Sequence, residues 1–543
     1  LQTTPTTVTV TTVSASVDDP EPDLGLASGA ADAATVALDP DERAEGHSSI
    51  PGIAGLSERR KNRALAVCLL VGFMTLLDVS IVNVALPSMQ KGLSATPADL
   101  SWVVSGYALT FGLILVPSGV FGDMVGRRTA FLVGLAAFTV ASGLCGIAPG
   151  AAFLVVARLV QGFASGILGP QISGLIQEMF SGAARARAFG YFGATVGLAT
   201  AVGPLVGGLL IAAGGEEHGW RWVFFVNLPI GIVAFVLALR LIPGCVGAGL
   251  AKTRGRIDWI GVTLLGASVT AIMLPLVQEQ QWQGRGKWWL VVLGVLLILA
   301  FAQWERRVAR VGKTPLVPPA LVRIRSYTRG SLLGLLYFAG FTTIFFIFTL
   351  FVQNGLNYSA LEAGLATTPF ALGSAVSATL GGRLVGKHGR PLVILGIVLV
   401  LLATGAAILL VHWVHGRGAG VATTGPLLVA GVGSGLVIAP NLALSLSEVP
   451  VSRAGTAGGV MQTAQRLGSA LGIACVGAVF FSRISHGKGF ANAFQAGGVV
   501  AICFEAAALV VGIADWRSRK TDPGTPETSE TSGTPDSLQG ADS

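Results

Sequence analysis

The stretch Leu77–Pro87, L-D-V-S-I-V-N-V-A-L-P, decides how the rest of the chain is read. It closes an apolar run that starts near Ala64, long enough for the roughly 20 residues a helix needs to cross a bilayer. Asp78 and Asn83 interrupt that run, and Pro87 ends it. An aspartate inside a membrane helix costs roughly 2.5–3.5 kcal/mol on insertion scales. Such a residue faces a protein interior or a wet cavity. There it either titrates as part of a function or only caps and pairs within a bundle.

Working outward, the same kind of apolar run recurs along the chain. Spans are expected near 64–86, 100–121, 130–148, 152–176, 188–211, 223–241, 259–277 and 289–304. Six more follow near 330–352, 361–382, 391–411, 421–446, 456–481 and 494–514. Hydrophobic residues make up 52% of the 543, and charged ones 12%. The charged share is about half the ~25% of an ordinary soluble protein, too little to cover a soluble surface. The 74 glycines suit helices that approach one another closely in lipid. The reading is an all-α polytopic membrane protein of about fourteen transmembrane helices.

The net charge of +8 does not point to nucleic acid, because the cations sit in short loops between apolar runs. One set of alternate loops holds Arg127 and Arg128, Arg185 and Arg187, Arg306 to Arg325, Lys387 and Arg390, and Arg453. The collar Arg59 to Arg63 and the tail cations from Arg517 lie on the same side. Positive loops mark the cytoplasm, so both termini are expected inside. Residues 1–57 carry no apolar signal segment and are expected to be a disordered tail, as are 515–543. Five cysteines show no C-x-x-C spacing, the histidines no H-x-x-x-H, and no phosphate-binding G-x-x-x-x-G-K-[ST] is present. A disulfide framework, a zinc site and an ATP-driven pump are therefore unsupported, and no nucleophile–base pair suggests an enzyme.

Five stretches say more. The first is the opening one, in which a lone aspartate can switch between charged and neutral. The second, at 119–128, places Gly119, Gly122, Asp123, Gly126, Arg127 and Arg128 between spans two and three. Its glycines permit a tight loop, and Asp123 beside arginines can form a charge-assisted latch. A weaker copy, G-G-R-L-V-G-K-H-G-R at 381–390, has Gly386 in place of Asp123. The third is R-L-V-Q-G-F at 158–163, where Arg158 needs either a partner or a path for snorkelling to the headgroups. The fourth is G-P-L-V-G-G at 203–208. Pro204 can kink the helix, while Gly203, Gly207 and Gly208 give it a flat face, expected to meet the other half of the molecule. The fifth is W-R-W-V-F-F-V-N-L-P-I-G at 220–231, with Trp220, Arg221 and Trp222 suited to a membrane interface.

Together these stretches resemble the major facilitator superfamily, and more narrowly its fourteen-span drug:proton antiporters, over about residues 60–515. The resemblance implies two six-helix halves, 58–241 and 326–514, with a two-helix insertion within 242–325. It implies that Asp78 and Arg158 take part in proton coupling and that the 119–128 stretch controls a closed state. It also implies that the G-P-x-x-G-G helix marks export rather than uptake. The implied partners are a small hydrophobic or amphiphilic substrate, protons and the bilayer. No cofactor beyond a proton gradient is expected, and the chain is expected to be a monomer in the cytoplasmic membrane of a bacterium. An uptake symporter of the same fold and a non-transporting membrane sensor are the alternatives. Asn83, Gln161, Arg466 and Glu505 are further intramembrane polar residues, Glu362 is expected at the outer surface, and the phenylalanines from Phe341 to Phe351 are expected mostly against neighbours or lipid.

Overall fold

The computed structural model describes residues 57–215, 217–244, 258–278, 282, 284–311, 313 and 315–520. The expected tails up to residue 56 and from 521, and the cationic stretch 245–257, lie outside the described residues. No strand occurs among the described residues. The chain forms α1 (Glu58–Leu93), α2 (Pro97–Val125), α3 (Arg127–Gly146), α4 (Ala151–Met179), α5 (Gly182–Gly214) and α6 (Gly219–Leu241). The hairpin α7 (Trp259–Val277) and α8 (Trp288–Arg310) follows. The remaining helices are α9 (Arg325–Leu350), α10 (Ala360–His388), α11 (Arg390–Trp413), α12 (Thr424–Ser445), α13 (Ala454–Ser485) and α14 (Gly489–Lys520).

Thirteen described helices are long and apolar enough to cross a membrane. The expected tenth span, α10, is 29 residues long but not among them, because Ala, Gly, Ser and Thr dilute its leucines. Those small residues serve contact with other helices instead of lipid. A carbon placed on Gly373 would lie 2.6 Å from the Leu428 carbonyl of α12.

The duplicated plan is visible in how the halves meet. The second helix of each half packs against the fifth of the other: α2 on α13, and α10 on α5. Equivalent glycines make the approach. A Cβ on Gly119 of α2 would lie 2.4 Å from the Gly455 carbonyl oxygen of α13. A Cβ on Gly382 of α10 would lie 2.7 Å from the Ala186 carbonyl oxygen of α5. Contacts this short require a residue without a side chain. The turns after α2 and α10 also match, with Gly126 at φ 102° and Gly389 at φ 57°, each followed by a buried arginine, Arg127 or Arg390.

Two boundaries differ from the sequence reading. Pro87 ends the apolar run but not the helix, which continues to Leu93 and stops at Ser94 in the left-handed region. Neighbouring helices allow a proline inside a membrane helix. A tail was expected from residue 515, but α14 runs on to Lys520. Asp515 is buried there and pairs with Arg390 at 2.5 Å and Arg329 at 3.6 Å, anchoring the last turns.

Candidate functional site

Asp78 lies on α1 and is fully buried. Two helices of the same half aim three donors at it. Arg158 of α4 donates from Nη1 to Oδ2 at 2.7 Å. Gln161, one turn further along α4, donates to Oδ1 at 2.9 Å, and Asn227 of α6 donates to the same oxygen at 2.8 Å. The i,i+3 spacing puts Arg158 and Gln161 on one helix face, and Arg158 also bonds the Gln161 Oε1 at 2.8 Å.

The donors are held in turn. Arg158 Nε bonds the Val103 carbonyl at 3.1 Å, and its guanidinium lies 4.1 Å above the Tyr107 ring. The Tyr107 hydroxyl bonds Ser165 at 2.8 Å. Asn227 also donates to Ser142 of α3 at 3.0 Å. With 1% of its surface exposed, Arg158 is an interior ion-pair partner and does not snorkel. The result is a buried carboxylate matched to one permanent cation and two amides.

Asp123 occupies a second site at one end of the bundle. Its Oδ1 accepts from Arg127 Nε and Nη2 at 3.1 and 2.9 Å and from the Gly455 amide at 3.2 Å. Its Oδ2 accepts from the Thr456 amide and hydroxyl, both at 2.9 Å. Asp123 thus caps the N-terminus of α13 across the seam between halves, where a carboxylate also meets the positive end of the helix dipole. Arg127 completes the link through the carbonyls of Gly174, at 2.7 Å, and Val451, at 2.6 Å. Gly122 leaves room for the buried Gln171 side chain, whose amide oxygen would lie 1.9 Å from a Cβ there.

Several expected residues lie elsewhere. Asn83 is exposed and, among the described residues, donates only to the Val79 carbonyl of its own helix. Arg128 belongs outside the latch and bonds the Leu239 carbonyl at 2.6 Å. The glycines of the 203–208 motif do not face the other half. Gly203 meets Ser80 and Gly207 meets Ile81, both on α1, and Gly208 has open space. Pro204 is the residue of that motif that touches the other half, 3.1 Å from a Cβ placed on Gly364. Trp220 is fully buried instead of interfacial, while Trp222 is 54% exposed. Glu362 is exposed and pairs with Arg417 at 2.6 Å. Phe341 and Phe345 pack on Phe370 of α10, and Phe351 stacks on Phe494 of α14.

Glu505 is buried on α14 beside Gly340, with Thr404 as a hydrogen-bond donor at 3.4 Å. Arg466 of α13 lies 4.5 Å above the Phe111 ring of α2. Neither joins the Asp78 cluster. Asn227 was missed as a site residue, although it stands in the 220–231 stretch. A lone amide in an apolar run was the available signal.

Two six-helix halves joined by a hairpin, with buried ion pairs inside them and a polar seam between them, define a polytopic membrane protein. The profile of the Major Facilitator Superfamily matches residues 68–473, and the chain belongs to that family. A probable actinorhodin transporter of Streptomyces coelicolor is 37% identical over 78% of this chain and 73% of its own length. The puromycin resistance protein of Streptomyces alboniger is 35% identical over 76% of this chain and 81% of its own. The tetracenomycin C resistance and export protein of Streptomyces glaucescens is 31% identical, covering 81% and 80%. Among solved structures, the proton:xylose symporter XylE superposes with a TM-score of 0.61 at 14% identity, over 85% of this chain and 96% of its own, a likeness of fold alone.

Proposed function

We propose that this protein exports hydrophobic or amphiphilic drugs or antibiotics across the cytoplasmic membrane of a bacterium in exchange for protons. On this reading it confers resistance, including self-resistance in an antibiotic producer. It works as a monomer with both termini in the cytoplasm and needs no cofactor beyond the proton gradient. The Asp78 cluster carries the reading. A buried carboxylate balanced by one arginine has two charge states that the protein can distinguish. Proton arrival on Asp78 cancels its attraction for Arg158 and loosens the α1–α4 link, and proton loss restores it. Relatives named for actinorhodin, puromycin and tetracenomycin C support antibiotic-like cargo and export over uptake.

The two halves rock about the substrate, as in other transporters built from repeats. The Asp123 seam holds one end shut, the end that the loop charges assign to the cytoplasm. The test is accumulation of a panel of antibiotics and dyes in cells with and without the protein, alongside Asp78→Asn. The asparagine keeps the shape and removes the titration. Proton-driven efflux is expected to fail in this variant while the protein still reaches the membrane. Efflux by Asp78→Asn at the wild-type rate and with wild-type dependence on the proton gradient would refute the coupling role.

A further inference from the structure

The C-terminal half contributes a cation that the proton cluster does not use. Arg466 sits mid-way along α13, the helix that lines the seam with α2. It is partly buried, and its guanidinium rests on the face of Phe111 at 4.5 Å. Among the described residues it has no carboxylate partner and no hydrogen bond, unlike Arg127, Arg158 and Arg390. An unpaired arginine inside a membrane bundle is costly, and such residues mark substrate paths.

Its surroundings supply further polar groups. Gln462 and Ser469 lie one turn away on the same flank of α13, Gln465 is the neighbouring residue toward that flank, and all three are also partly exposed. Among the described residues neither amide has a hydrogen-bond partner, and Ser469 meets Thr342 of α9 at 2.9 Å. The adjoining face, with Leu467, Leu471 and Ala474, packs against α7, which shields it. The polar flank is therefore directed away from the hairpin. Phe111 stacks on Tyr107 with centroids 6.2 Å apart and planes at 18°, and Arg158 lies over Tyr107. Two rings thus bridge Arg466 to the Asp78 pair.

We infer that Arg466 is a subsite for the acidic group of an aromatic, amphiphilic substrate, a carboxylate or phenolate whose ring system lies along Phe111. The guanidinium offers a planar fork to the anion, and the two glutamines offer further donors. This deepens the export reading by naming a substrate class. It also places the substrate's charge two rings from the coupling carboxylate.

The test compares 9-anthracenecarboxylate with its methyl ester, which differ chiefly in charge, by fluorescence titration of the purified protein in detergent. Wild-type protein should bind the acid at least about tenfold more tightly than the ester, the scale of a charge-assisted hydrogen bond. Arg466→Gln should abolish that preference by weakening acid binding, and Arg466→Lys should keep part of it. Three outcomes overturn the inference. The wild type shows no preference for the acid; the preference survives in Arg466→Gln; or acid and ester weaken equally in Arg466→Gln with a lowered melting temperature, which marks a structural role. Because binding is read without transport, a failed export reading and a failed subsite are told apart.

Discussion

Asp123 is the residue whose removal has the most readable consequence. Three of its hydrogen bonds cross the seam to the first turn of α13, and with 11% of its side chain exposed it is little screened by solvent. A hydrogen bond to a charged group contributes about 1.5–3 kcal/mol, and a helix N-cap about 1 kcal/mol. These three bonds share one helix end and do not add. Asp123→Ala is therefore expected to cost the closed seam about 2–3 kcal/mol, which is about 30- to 150-fold in a two-state equilibrium. Asp123→Asn keeps an acceptor for the Thr456 amide but loses the charge, and should cost about 1 kcal/mol, roughly fivefold. The assay is maleimide labelling of Ser173→Cys, with labelled sites mapped by mass spectrometry. Ser173 is 2% exposed, and its hydroxyl faces Gly458 of α13. Native Cys68, fully buried within the first half, reports unfolding, and the other cysteines are replaced. Labelling at 173 should accelerate in the order wild type, Asn, Ala, with Cys68 unreactive throughout. Equal rates at 173 in all three proteins would show that the carboxylate does not hold this seam.

Two further expectations rest on contacts described above. Gly119→Ala puts a methyl 2.4 Å from a carbonyl oxygen of α13, an overpacking worth about 1–3 kcal/mol, whereas Gly208→Ala meets open space. Efflux of a substrate dye should fall severalfold or more in the first and stay near wild type in the second, and equal efflux in both would refute the close-approach argument. Asn227→Ala removes one of the donors to Asp78 Oδ1 and leaves the Ser142 hydroxyl without that partner. Its loss should destabilise the purified protein by about 1–3 kcal/mol, read as a lower melting temperature, and shift the pH at which efflux is half-maximal. An unchanged pH profile would confine Asn227 to packing.

Most of the architecture was legible in the sequence because lipid imposes one strong rule: each crossing needs a long apolar helix. Asp78 and Arg158 stood out for the same reason, since charge in such helices is rare and costly, and Asp123 stood out as a carboxylate among glycines and arginines between two spans. The partners were harder to read. Asn227 follows an aromatic run, and nothing in its spacing links it to a carboxylate 149 residues earlier. The role of Gly203 and Gly207 was misread because a flat helix face does not say which neighbour it meets, and α1 of the same half takes it. Asp515 looked like part of a polar tail, since only tertiary contact brings Arg390 and Arg329 to it.

The two seams between the halves began from one plan but are fastened differently. At α5 and α10 the contact runs from Gly190 against Gly382 to Pro204 against Gly364, with backbone on backbone at the first pair. At α2 and α13 a similar glycine contact is supplemented by Asp123, whose counterpart in the second copy is Gly386. A glycine contact admits little adjustment, because any added side chain meets main chain. A carboxylate fastening can be retuned in small steps, through its charge, its length or the number of donors it receives. Selection for faster or slower turnover would therefore find a graded control at one seam and an on–off control at the other. A duplicated chain can in this way keep one copy of a joint rigid while the other is free to evolve a rate.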